Sequence, residues 1–120
     1  MAKIMLVGLD QSVSIQISRV VLRDRHQIDK HPMTVAFHET ADADLLFLCG
    51  DDRRYLPLLR AIRVARPRQP VVVVTRLPET NDWLDALEAG ATDYCAAPFE
   101  LTQVKWVLDA ALKRTRPAAA

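Results

Sequence analysis

The chain lacks long apolar runs and has almost no net charge. None of its hydrophobic stretches approaches the roughly 20 residues a membrane-spanning helix needs. Lys and Arg together outnumber Asp and Glu by one, 16 against 15. The first lack excludes a helical membrane protein. The second removes any global electrostatic case for nucleic acid or an anionic membrane surface as the partner. Cysteine is scarce too: Cys49 and Cys95 are the whole complement, each inside an apolar run. The N-terminal MAKIMLVG shows neither the h-region nor the cleavage site of a secretory signal. Two buried, reduced thiols are therefore expected rather than a disulfide, in a cytoplasmic protein. Internal repeats are absent, and the only low-complexity stretch is the terminal Pro-Ala-Ala-Ala. What is there is a chain of 120 residues, half of them apolar, which suits one domain with a single core.

Charge is balanced overall but unevenly spread. Seven arginines and no acid lie from Arg53 to Arg76, and six acids and no base from Glu79 to Glu100. If those segments are neighbours, the surface is bipolar and suited to oriented protein contacts. Two ordinary solvated faces would have the same composition.

Three short runs, Ile4–Val7, Leu45–Cys49 and Val71–Val74, are apolar throughout. Without polar alternation they read as strands buried on both faces of a parallel sheet. Between them apolar residues recur at helical spacing. Val13, Ile17, Val20 and Val21 form one stripe, with Asp10 or Ser12 placed to cap it. Leu58, Leu59, Ile62 and Ala65 form a second, begun by Pro57 and stopped by Pro67. Leu84, Leu87 and Ala91 form a third, closed by Gly90. Leu101, Val104, Leu108, Ala111 and Leu112 form a fourth. Asp93–Ala96 reads as the last strand, before a turn at Pro98. The domain is expected to span residues 1–114, with 115–120 as a flexible tail. Local signals leave the stretch before Leu45 open. Gln27–His31 is an edge strand followed by a short helix over Met33–Thr40 with Pro32 at its start, or Met33–Phe37 is itself the strand.

Alternating strands and helices predict a doubly wound α/β sheet, whose ligands bind outside the carboxyl ends of the strands. Those ends are Gly8-Leu9-Asp10, Cys49-Gly50-Asp51-Asp52, Thr75-Arg76 and Ala97-Pro98.

Over essentially its full length the chain resembles the receiver domain of two-component response regulators. KIMLVGLD resembles the first strand of that family, ADLLFLCG the strand that carries the phosphorylated aspartate, and PVVVVT the fourth strand with its terminal hydroxyl. ALEAGATDYCAAPF resembles the fourth helix, fifth strand and Lys-Pro turn, and is the most specific match. The resemblance implies a five-stranded parallel sheet in the flavodoxin-like order 2-1-3-4-5, a (βα)5 fold. Family spacing holds from Gly8 to Ile28 and from Thr75 to Ala97, which favours Gln27–His31 as strand two. The middle is several residues short, so the second helix and the loop after Cys49 are expected to be abbreviated.

In the family, two acids after strand one and the acceptor aspartate hold a divalent cation through oxygen ligands. The aspartate attacks a phosphoryl donor in line while the cation and a lysine offset the developing charge. A hydroxyl then holds the phosphoryl group, and an aromatic on strand five swings inward. In this chain the acid-pair positions are Gly8 and Leu9, the acceptor position is Cys49 and the lysine position is Ala97. Only Thr75 and Tyr94 match, as hydroxyl and aromatic switch, with Asp10 just past the acid pair. The resemblance therefore implies a degenerate phosphorylation pocket: a pseudo-receiver that is not an enzyme and needs no metal or cofactor.

These residues admit two other roles. Asp10, Asp51 and Asp52 could gather a cation, but Leu9 is apolar and Cys49 is a soft ligand, so Asp10 reads better as a helix cap. Asp51 and Asp52 read as loop residues whose side chains need not reach the pocket. Cys49 is a small buried hydrophobe, or else a responsive thiol near Arg76 that makes the domain a redox or metal sensor. A bond to Cys95 is excluded by the implied strand order, since two strand spacings of about 9.5 Å exceed disulfide reach.

The family docks partners on its helix 4–strand 5–helix 5 face. Here that face carries Trp83, Tyr94, Lys105 and Trp106, beside Asp82, Asp85 and Glu88. The tryptophans form an anchor pair for a protein partner or a second copy, or each covers the rim of its own helix. Arg60, Arg63 and Arg66 form a second candidate patch. Nucleic-acid binding along Arg53–Arg76 has no recognised motif behind it.

Overall fold

The computed structural model describes residues 2–76, 80–97 and 100–113. Strands β1 (Lys3–Val7), β2 (Gln27–His31), β3 (Leu45–Cys49), β4 (Val71–Thr75) and β5 (Asp93–Ala96) form one parallel sheet in the order β2-β1-β3-β4-β5. Four helices accompany it: α1 (Gln11–Arg23), α2 (Tyr55–Ala65), α3 (Thr80–Glu88) and α4 (Leu101–Lys113). The expected doubly wound order is the observed one. Strands β1, β3 and β4 lie inside the sheet and are covered on both faces, which is why they are apolar without alternation. The edge strands β2 and β5 are only partly covered.

Side chains alternate across each strand, so the single core expected from composition is divided by the sheet into two layers. On one side Ile4, Leu6, Leu45, Phe47, Val72 and Val74 pack under α1 and α4. On the other, Met5, Val7, Leu46, Leu48, Val71 and Val73 meet Leu56, Leu59 and Ile62 of α2 and Ala86 of α3. Helices α3 and α4 thus lie on opposite faces, with the edge strand β5 between them. Among the described residues no helix is long and apolar enough to cross a membrane.

Helix ends follow local chemistry. Asp10, not Ser12, caps α1: its carboxylate accepts from the Val13 N–H at 2.9 Å. Helix α1 closes through Arg25, which adopts a φ of 64°. His26 N–H bonds the Val21 carbonyl and Arg25 N–H that of Leu22, both at 3.0 Å. Gly90 closes α3 with the same pair of bonds and a φ of 105°, as its place in the sequence predicted.

Two expectations about helices are corrected and a third is sharpened. Helix α2 starts at Tyr55, ahead of Pro57, and buries Tyr55, Leu56, Leu59 and Ile62, while Ala65 of the predicted stripe is exposed. Pro57 falls in the first turn, where its missing N–H costs nothing. The helix over Met33–Thr40 shortens to a 3₁₀ turn at Phe37–Thr40, in keeping with the abbreviated second helix that the short connection implied. On α3, Leu84 and Leu87 are exposed and Ala86 is the buried contact.

Two arginines of the proposed second patch are structural rather than displayed. Arg66 lies over the Phe37 ring, 5.3 Å from its centroid, and donates to Thr40. Arg63 donates to the carbonyls of Gly90, at 2.9 Å, and Pro67, at 2.7 Å, joining the ends of α2 and α3. The turn at Pro98 and the tail over 115–120 lie outside the described residues.

Candidate functional site

The carboxyl ends of β1, β3 and β4 bring most of the sequence-selected residues together. After β1, Gly8 has a φ of +73°, and a Cβ built there would stand 2.9 Å from Met33 Cε and 3.4 Å from Cys49 Cβ. An acid at this position would meet left-handed strain, and the flexible end of Met33 would have to give way to it. Leu9 is half-buried and packs against the α1–α4 layer. Asp10 pairs with the Arg76 guanidinium through its second carboxylate oxygen while capping α1 with the first.

After β3 the chain turns sharply. Gly50 N–H donates to the Val74 carbonyl at 2.7 Å, and a Cβ on Gly50 would lie 2.4 Å from Val73 Cγ1. This close approach sends the next side chain back over β4. Asp51 Oδ1 accepts from the Thr75 hydroxyl at 3.0 Å and from the Arg76 N–H at 2.8 Å. The expectation that Asp51 need not reach the pocket is therefore corrected: its carboxylate lies on the end of β4. Nothing in local sequence marks this contact, because it joins residues 24 and 25 apart through the Gly50 turn. Asp52 does stay outside, accepting from the Arg54 N–H at 2.8 Å and from its guanidinium. Ala97, where the resemblance expects a lysine, is buried, and its N–H donates to the Thr75 carbonyl at 2.8 Å.

The electrostatics follow from these pairings. Asp10, Asp51 and Asp52 each have their own donors, and among the described residues no three His, Cys, Asp or Glu side chains converge as a metal site. Burial is the largest influence on the Cys49 thiol and raises its pKa, with the charges of Asp51 and Asp52 adding to it and the Asp51 N–H opposing. The Cys95 thiol is pushed up to about 12, by burial first and then by Asp93. Neither environment favours a thiolate. Both cysteines are free, and they flank Val74 on opposite neighbouring strands.

The remaining sequence-selected residues lie along β5 and its flanking helices. The Tyr94 hydroxyl is buried and the ring packs against the α2–α3 layer, so the side chain is turned inward. Trp106 on α4 is 80% exposed and Trp83 on α3 is 44% exposed. Trp106 thus does not cover the rim of its own helix. A shallow groove runs between β5 and α4, lined by Asp93, Ala96, Thr102, Gln103 and Trp106. Lys105 departs from the expected pattern. It pairs with Asp24 at 3.0 Å and Asp109 at 3.5 Å, which directs it toward the end of α1. The acids of α3 are engaged as well: Arg53 meets Asp85 at 2.8 Å and Asp82 at 3.8 Å. The arginine-rich and acid-rich segments are therefore neighbours that partly neutralise each other across the α2–α3 seam.

No protein-family profile matches the chain. In sequence it is similar to the response regulator ArlR of Staphylococcus saprophyticus, 27% identical over 119 aligned residues. That match covers 95% of this chain and 54% of the relative, so the chain spans about half the relative's length. Among solved structures it superimposes on a response regulator from Thermotoga maritima with a TM-score of 0.82 at 19% identity, covering 94% of this chain and 98% of the other. A CheY-like receiver domain protein from Methanospirillum hungatei gives a TM-score of 0.82 at 15% identity, with 94% of each chain covered. The chain has the fold of response-regulator receiver domains, and its sequence is similar to a response regulator over 95% of its length.

Proposed function

We propose that the chain belongs to the receiver family and serves as a non-enzymatic, cytoplasmic signalling module that acts without aspartyl phosphorylation. The observation that carries this reading is the state of the strand ends. Position 49 offers a thiol in place of a carboxylate, and the Thr75 hydroxyl is already engaged by Asp51. The backbone at Gly8 opposes a returned acid, and the Arg76 guanidinium is paired with Asp10.

Output in this reading comes from the edge formed by α3, β5 and α4, where a protein partner or a second copy docks. Its support is the exposure of Trp83 and Trp106 on two helices that bracket one edge strand. Large aromatics with room to be covered are the residues that dominate protein interfaces. Incubation with acetyl phosphate and Mg²⁺ tests the first half of the proposal. No mass gain of one phosphoryl group is expected; a stoichiometric gain that hydroxylamine removes would refute phosphorylation independence.

A further inference from the structure

The hold on Asp51 has the form of an oxyanion receptor. A single carboxylate oxygen accepts from a side-chain hydroxyl and from the next residue's N–H, at 3.0 and 2.8 Å. Thr75 is only 2% exposed, so its hydroxyl lies away from solvent and its bond would be costly to leave unmade, while Asp51 itself is exposed and reaches in from the surface. Gly50 makes the arrangement possible, because any side chain at that position would strike Val73 and move the turn. Arg76 extends it: the residue whose N–H binds Asp51 pairs through its guanidinium with Asp10, the cap of α1. The Thr75 carbonyl in turn receives the Ala97 N–H at the end of β5. Residues 75 and 76 thereby tie the loops after β1 and β3 to the end of β5.

We infer that Asp51 is a built-in ligand of this receptor. Its carboxylate occupies the place that a receiver-type domain would offer to a transferred phosphoryl group, and it fixes the β4–β5 end in one arrangement without a phosphoryl donor. The inference deepens the reading given under Proposed function and rests on it. It assigns Asp51 as a positioning residue and names a small oxyanion, carboxylate or phosphate, as the class of group the receptor takes.

Amide NMR of the whole chain tests it. In Asp51→Ala the Arg76 amide proton is expected to move upfield, with accompanying shifts at Ala97 and Tyr94. Titrating formate or inorganic phosphate into that variant is expected to return the Arg76 amide saturably toward its wild-type position, while the wild-type protein does not respond. Asp51→Asn keeps an acceptor oxygen without the charge, and is expected to place the Arg76 amide between the two. It also serves if the alanine variant does not fold. An unmoved Arg76 amide in both variants, or an equal anion response in the wild-type protein, overturns the inference. Neither result bears on the acetyl phosphate test, so the two readings fail separately.

Discussion

Asp10 distinguishes a helix cap from a remnant of a cation site, because the two roles predict opposite signs. As a cap it accepts from the Val13 N–H and pairs with the half-exposed guanidinium of Arg76. Loss of an N-cap typically costs about 1 kcal/mol. A partly exposed ion pair adds roughly 0–1 kcal/mol. Asp10→Ala is therefore expected to destabilise by about 1–2 kcal/mol. Asp10→Asn retains the acceptor and loses only the charge, so it should cost less than about 1 kcal/mol. With a urea m-value near 2 kcal/mol/M, the alanine variant's midpoint should fall by roughly 0.5–1 M while m stays constant. If Asp10 instead crowded other carboxylates around a cation, its removal would relieve repulsion and raise stability. Mg²⁺ would then stabilise the wild-type protein by linkage and leave the variant unaffected. A neutral or stabilising Asp10→Ala, or a Mg²⁺-dependent gain confined to the wild-type protein, would refute the cap assignment.

Two further expectations concern the turn after β3 and the buried thiol of β5. Gly50→Ala places a methyl group 2.4 Å from Val73 Cγ1, and overpacking of this kind costs about 1–3 kcal/mol. Val73→Ala should recover part of that loss, so a urea double-mutant cycle is expected to show favourable coupling; simple additivity of the two changes would count against the contact. Cys95 has its pKa raised from 9.0 to about 12 in the native state. The unfolded chain therefore releases this proton first, and the thiol's contribution to stability, complete below pH 9.0, is lost as pH rises toward about 12. Between pH 8 and pH 10 the loss from this group should be about 1 kcal/mol. Measured by urea midpoints, the fall over that interval should be smaller in Cys95→Ala, and equal falls would rule the linkage out.

What could be read from the sequence depended on how many faces an element buries. The interior strands β1, β3 and β4 are covered on both sides, so every residue is apolar and the run declares itself. Strand β2, QIDKH, is an edge, and only the resemblance selected it over Met33–Phe37. Helix α3 sits beside the edge of the sheet, where Ala86 suffices for contact and the larger Leu84 and Leu87 remain outside. Periodicity marks the apolar stripe but does not reveal that, among the described residues, Leu84 and Leu87 stay exposed. The strand-end pocket was legible as a set of positions and not as a set of contacts. That Cys49 and Ala97 stand where the resemblance expects an acid and a lysine could be read without any contact. That Asp51 turns inward depends on the Gly50 approach to Val73, a relation between strands that no local pattern encodes. The pairing of Lys105 is hidden for the same reason: its partner Asp24 lies 81 residues away, at the end of α1.

These corrections change the chemistry of the proposed docking edge. Acid on α3 and base on α4 would have made an interface of complementary charge. Instead Asp82 and Asp85 face Arg53, and Lys105 faces Asp24 and Asp109, so much of that charge is balanced within the chain. Exposed charges paired in this way are screened and add little to affinity. The large apolar side chains left exposed on the two helices that flank β5 are Trp83, Leu84 and Leu87 on α3 and Leu101 and Trp106 on α4, with Asp93, Thr102 and Gln103 as polar neighbours in the groove. An occupant of this edge would therefore be held by burial of aromatic and aliphatic surface, with charge confined to the rim. Arg53, just ahead of α2, meets both Asp82 and Asp85 of α3, so the charge nearest Trp83 is already matched within the chain and leaves its ring as the larger gain on burial.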